Sequence, residues 1–183
     1  MTALHEQHEQ QEQQIWQWLD DVVIGLNLCP FAKKPRHQQQ IKLVTAVSQS
    51  LTALLDKFAD ELDSLAKTPA SQTDTTLFVI TNELTDFDDY LDFLEECHRV
   101  NEELGYEGIF QLASFHPDYQ FEGVAQDDVQ NFTNRAPFPV VHIIREDSME
   151  RVLKSYPDPE NIPHRNITTV SNLTPTQKLT LFP

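Results

Sequence analysis

Glycine is scarce here: four residues in a chain of 183. So few leave little room for a glycine-built phosphate cradle. No P-loop, GxGxxG, GxSxG or HExxH pattern occurs either. Cysteine is scarcer still: Cys29 and Cys97 form no CxxC pair and no zinc-type spacing. Basic residues are few, with Lys+Arg at 13 against Asp+Glu at 29 and a formal net charge of −16. That balance repels phosphate backbones and anionic lipid, which argues against a nucleic-acid or membrane partner. No apolar run approaches the roughly 20 residues of a membrane helix. The first fourteen residues are polar and glutamine-rich, unlike a signal or transit peptide. A cytoplasmic location follows as the expectation, and with it no structural disulfide.

What is present has the periodicity of a folded α/β chain, with α+β as the alternative class. Residues 1–10 read as a disordered polar tail, 11–170 as one domain and 171–183 as an irregular C-terminal tail. Ile15, Trp18, Leu19, Val22, Val23 and Leu26 share one helix face, and Gly25 and Pro30 close that helix. Ile41 to Val47 alternates as a strand does. Ser50 caps a helix whose stripe is Leu51, Leu54, Leu55, Phe58, Leu62 and Leu65. Leu77 to Ile80 is a continuous apolar run, the mark of a strand covered on both faces. Thr85 is read as the cap of an acidic helix ending at Gly105. Strands follow at Ile109–Ser114 and Val140–Ile144. Asp147 then opens a short helix. The order is α-β-α-β-α-β-β-α: a four-stranded mixed sheet flanked by helices. The first three strands, joined through helices, are expected parallel. The fourth is expected antiparallel to the third.

That antiparallel arrangement brings two polar segments to one sheet edge. His116 lies just past the third strand, and Asn134 and Arg135 lie just before the fourth. Prolines 117 and 137 restrain the backbone beside them. A histidine at a strand end suits an acid/base role or a metal ligand, or it caps the strand structurally. Asp118 is placed to orient its ring. Arg135 offers a rigid fork for a carboxylate or phosphate, or pairs internally with an acid. Lys33 and its basic neighbours are a second anion contact or an ordinary solvated loop. Arg145-Glu146 reads as a structural ion pair. Cys29 is a buried hydrophobe, a nucleophile or a ligand. Cys29-Pro30 resembles the opening of a thioredoxin-type site, but a helix precedes this cysteine and the second thiol is missing. Cys97 lies on an apolar stripe and reads as core. His142 sits inside an apolar strand, as a structural residue or a second ligand.

Several of these segments together resemble a bacterial family known as domain of unknown function 1415. They are Gly25-Leu26-Asn27-Leu28-Cys29-Pro30-Phe31-Ala32, Phe115-His116-Pro117 and Asn134-Arg135-Ala136-Pro137. His142, Arg145-Glu146-Asp147-Ser148 and Tyr156-Pro157-Asp158-Pro159 complete the set. The resemblance runs from about Trp16 to Ile167 and carries no agreed activity. It implies that Cys29, His116, Asn134, Arg135 and His142 belong to family motifs.

Three functional expectations follow. The first is an enzyme for a small anionic metabolite. His116 is its acid/base, Arg135 its anion contact with Asp118 and Lys33 also binding substrate, Asn134 a donor to a carbonyl or oxyanion, and Cys29 a nucleophile or a ligand. The second is a metal protein with zinc or iron on Cys29, His116 and His142. The third is a non-catalytic binding module using the surroundings of Trp16 and Phe31.

Overall fold

The computed structural model describes residues 2–48 and 50–182. Its centre is one mixed sheet of β1 (Ile41–Ala46), β2 (Thr75–Ile80), β3 (Phe110–Phe115) and β4 (Val140–Arg145). The spatial order is β1-β2-β4-β3. β1 and β2 run parallel, while β4 runs antiparallel to both of its neighbours. β3 therefore points the same way as β1 and β2. The class is α/β with a single domain, and the expected directions of all four strands hold. Among the described residues, no helix is long and apolar enough to cross a membrane.

Helices α1 (Thr2–Trp18), α2 (Lys33–His37), α3 (Leu51–Lys67) and α4 (Phe87–Glu103) come next in chain order. α5 (Glu146–Leu153), α6 (Ile162–Ser171) and α7 (Pro175–Leu181) complete the set. α3 and α4 cover one face of the sheet. Leu54, Phe58, Leu62 and Leu65 of α3 pack with Phe78, Ile80, Val141 and Ile143. Phe58 meets Phe78 edge-on with centroids 5.6 Å apart. Tyr90 of α4 reaches through this layer, and its hydroxyl donates to Val140 O at 2.7 Å. Cys97 is buried there, as its place on the stripe predicts. The other face is covered by α1, α6, α7 and a 3-10 turn at Val129–Asn134. Because both faces are covered, all six residues of β2 are buried.

Both outer strands have their free edge partly occupied. Asn101 and Asn134 donate their amides to Phe110 O and Ser114 O of β3, at 3.2 and 3.1 Å. Lys57 donates to Thr45 O of β1 at 2.7 Å.

Several local expectations are corrected. The helix begins at Thr2, so the segment read as a disordered tail is helical from there. Glutamine and glutamate are good helix formers, and that propensity continues the turn upstream of the apolar stripe. The first helix does not stay α-helical to Leu28. It widens into a π-helical turn at Leu19–Ile24, with Gly25 N bonded to Asp20 O at 2.9 Å. The C-terminal stretch is not irregular: α7 is capped by Thr174 and Gln177 in a reciprocal box. Asp86, not Thr85, caps α4 by accepting from the N–H groups of Asp88 and Asp89. α5 starts at Glu146 directly after β4, without a side-chain cap at Asp147. Arg145 does not pair with Glu146. Its guanidinium donates to the carbonyls of Leu65, Thr68 and Thr73, closing the C-terminal end of α3.

Candidate functional site

The edge where β3 ends and β4 begins gathers residues from both segments. His116 N donates to Asn134 O at 3.2 Å, and Ala136 N donates to His116 O at 3.4 Å. Both bonds lie outside the β3–β4 register, which would set Pro139 opposite His116; they tie the segment before β4 to the end of β3 directly. Trp18 crosses from α1 and donates its indole N–H to Arg135 O at 2.8 Å. Its ring meets Phe115 edge-on at 5.2 Å. Sequence reasoning placed Trp18 on the apolar stripe and missed this bond. The signal was available, since a buried indole N–H needs an acceptor.

His116 is fully buried. Asp118 N donates to its Nδ1 at 3.0 Å, and its Nε2 lies 2.9 Å from Leu84 O. An imidazole nitrogen that accepts carries no proton, so Nε2–H donates to Leu84 and the ring is neutral. Burial pushes its pKa below the ordinary value, against the backbone bond to Leu84 and the charges of Asp118 and Asp86. The ring packs between Phe87 and Tyr90, with centroids 5.2 and 5.1 Å away. Both nitrogens are therefore engaged inside the protein, and the acid/base role expected for His116 has no free ring atom. Asp118 orients the ring through its backbone N–H, and its side chain is exposed. Asn134 is engaged in the same way. Its amide N–H donates to Ser114 O, while its Oδ1 lies 3.1 Å from Thr133 Oγ1, whose single proton also has Gln130 O as an acceptor at 2.9 Å.

His142 shows a parallel logic on the other face. Thr75 Oγ1 lies 2.6 Å from both Ile143 O and His142 Nε2. A carbonyl cannot donate, so the one hydroxyl proton goes to Ile143, and His142 must donate Nε2–H to Thr75. Its Nδ1 is left as a lone pair. Burial pushes the pKa of His142 down to about 4. A histidine held neutral in the fold stabilises fully above its unfolded value of about 6.5, and that contribution is lost as pH falls towards 4. Wild-type protein should lose up to ~3 kcal/mol from this group between pH 7 and pH 4. Urea unfolding of wild type and His142→Asn across that range checks it. Parallel pH profiles for the two proteins would exclude the assignment.

His116 and His142 face opposite sides of the sheet, one against α4 and the other beside Phe115. Cys29 packs in the layer that contains Phe115 and Leu77. Cys29, His116 and His142 therefore do not converge. Among the described residues, no three His, Cys, Asp or Glu gather in a way that holds a metal ion. The zinc or iron triad is corrected on this geometry.

Cys29 lies between the π-helical turn and α2. Burial pushes its thiol pKa up, opposed by backbone hydrogen bonds from Phe31 and Ala32. The second helical segment, downstream of the cysteine, was not legible from sequence. Phe31 stacks edge-on against Tyr156 at 5.2 Å, and Asn166 donates to Leu28 O at 2.7 Å. The Tyr156 segment and α6 thus hold the cysteine loop. Trp16 lies beneath Arg36, whose guanidinium is 4.3 Å from its ring centroid and pairs with both oxygens of Asp20. Trp16 and Phe31, the aromatic surroundings expected to form a partner surface, are each partly exposed beside these contacts. Lys33 is exposed on α2.

Arg135 differs from the other arginines. Arg36, Arg99 and Arg165 pair with Asp20, Glu96 and Asp158. Arg145 and Arg151 donate to carbonyls. Arg135 has no carboxylate within 4.0 Å among the described residues. It donates one bond to Gln126 O at 2.9 Å and lies over Phe132, 4.4 Å from the ring centroid. Its buried Nε has no partner. Burial lowers its pKa, against the pull of the more distant Asp118.

These features define a single-domain α/β protein with a helix-covered mixed sheet and a polar strand-end edge. The chain belongs to the family described as Protein of unknown function (DUF1415), whose model matches residues 10–179. No curated protein and no solved structure matches it.

Proposed function

We propose that this protein binds a small anionic molecule, a carboxylate or a phosphate, at Arg135. The observation that carries the reading is the half-buried guanidinium with an unpartnered Nε and, among the described residues, no carboxylate in ion-pair reach. A desolvated cation without a counter-ion is costly, and a bound anion offsets that cost. The site also has a stiff frame. Trp18 holds the Arg135 carbonyl, Phe132 supports the guanidinium, and the backbone bonds of His116 to Asn134 and Ala136 hold the residues on either side of Arg135. Catalysis is not part of this reading, because both ring nitrogens of His116 are bonded to backbone groups and the Asn134 amide N–H is given to Ser114 O.

Thermal unfolding with inorganic phosphate or succinate, at matched ionic strength, tests the proposal. At a hundredfold excess over Kd, one of these anions should stabilise wild type by ~2.7 kcal/mol, roughly 5–10 °C in Tm. Arg135→Gln should lose the shift while keeping the wild-type circular dichroism spectrum. A wild type indifferent to both anions, or an unchanged shift in Arg135→Gln, contradicts it.

A further inference from the structure

The outer surface of α3 and α4 carries two adjoining depressions that share Glu95 and Glu96. The smaller, about 270 Å³, has an apolar lining of Leu51, Leu55 and Phe93. Leu51 is 53 % exposed. The larger, about 520 Å³, is bordered by Glu102 and Glu107 as well as the shared pair, with His98 and Arg99 among them, so carboxylates outnumber the one arginine. Asn101 also lines it, although the residue is only 7 % exposed, and its Oδ1 has no hydrogen-bond partner. Glu96 pairs with Arg99, whereas Glu95 and Glu102 form no ion pair within 4.0 Å among the described residues. From Asp92 to Glu102 the helix advances about 15 Å, the length of roughly five extended residues.

We infer that this trough is a docking surface for a basic, apolar segment of another protein. Charge complementarity selects the occupant. An apolar anchor fits between Leu51, Leu55 and Phe93, and lysine or arginine side chains then meet Glu95, Glu102 and Glu107. The unpartnered Asn101 oxygen lies buried beneath the acidic end and adds to its negative potential. A second copy of this chain is disfavoured by its net charge of −16. The surface lies across the sheet from Phe132 and Arg135, so it stands or falls independently of the anion site.

The test uses the full chain and a fluorescein-labelled hexapeptide of alternating leucine and lysine, read by anisotropy. Hexalysine and a leucine–glutamate hexapeptide serve as comparison probes. Wild type should bind the leucine–lysine probe saturably, at least tenfold more tightly than either comparison peptide. Glu95→Lys with Glu102→Lys, both at exposed positions, should weaken it at least tenfold. Asp147→Lys with Glu160→Lys makes the same charge change at exposed positions outside the trough and should alter binding less than twofold. Leu51→Ser should weaken it at least threefold. Equal binding of hexalysine, equal loss in the two double variants, or no saturable binding by wild type overturns the inference.

Discussion

Replacing His116 with alanine should destabilise the protein by ~3–5 kcal/mol in chemical denaturation. The change removes a fully buried ring and leaves a cavity between Phe87 and Tyr90. It also leaves Leu84 O and Asp118 N without their partners. An unsatisfied buried group costs roughly 1–3 kcal/mol by itself. Leu84 makes the local effect larger, because its φ of 58° lies in the left-handed region, where a branched side chain is strained. The bond from His116 helps hold that conformation. His116→Asn should recover part of the loss, since a carboxamide oxygen can replace the Nδ1 acceptor for Asp118. A His116→Ala protein within 1 kcal/mol of wild type would refute the structural assignment and return the ring to the chemical candidates.

Gly25→Ala should cost at least ~3 kcal/mol, far beyond a helix-propensity effect. The φ of Gly25 is −61°, so backbone freedom is not the reason for glycine. Space is the reason. A Cβ at this position would lie 2.3 Å from Asp21 O and 2.9 Å from Asp21 C. Both are backbone atoms, so relief requires the π-helical turn to unwind. That turn sends Val23 O to the N–H groups of Leu28 and Cys29, at 2.9 and 3.3 Å. The cysteine loop is therefore anchored to the same distortion that needs glycine. Reaction with an aromatic disulfide reagent should be slow at both thiols of wild type. In Gly25→Ala it should become fast at Cys29 and stay slow at Cys97, which is buried on the inward face of α4. Wild-type stability together with wild-type thiol protection would show that the turn tolerates a methyl group.

The parts of the fold that sequence reveals are those set by local periodicity. α3 and α4 follow from their apolar stripes, and β2 follows from an unbroken apolar run. The cap of α4 was misplaced by one residue because Thr85 and Asp86 are both cap-forming types. Only the geometry shows that Asp86 reaches two N–H groups. The reciprocal box before α7 was present as Thr174 and Gln177 but lay in a segment dismissed as tail. The π-helical turn has no periodic signature to read. The site divides in the same way. That His116 and Asn134 meet follows from strand direction, and strand direction was inferable. What occupies the histidine rings was not. Leu84 is 32 residues from His116 and Thr75 is 67 from His142. Such partners exist only once the chain has folded, so a histidine at a strand end looks chemically free until they are in place. Arg135 is the converse case. An arginine among 29 acidic residues reads equally as an anion contact or as one half of an internal ion pair, and only coordinates show that no carboxylate of the described residues lies within reach.

The two asparagines along β3 have one more consequence. An outer strand with every acceptor vacant is a template on which further strands, native or misfolded, can accrete. Here a carboxamide stoppers each end of that template, and a lysine does similar work on the opposite margin. Growth of the sheet by polymerisation would have to displace these side chains first. The two carboxamides thus leave fewer acceptors of β3 open to an added strand.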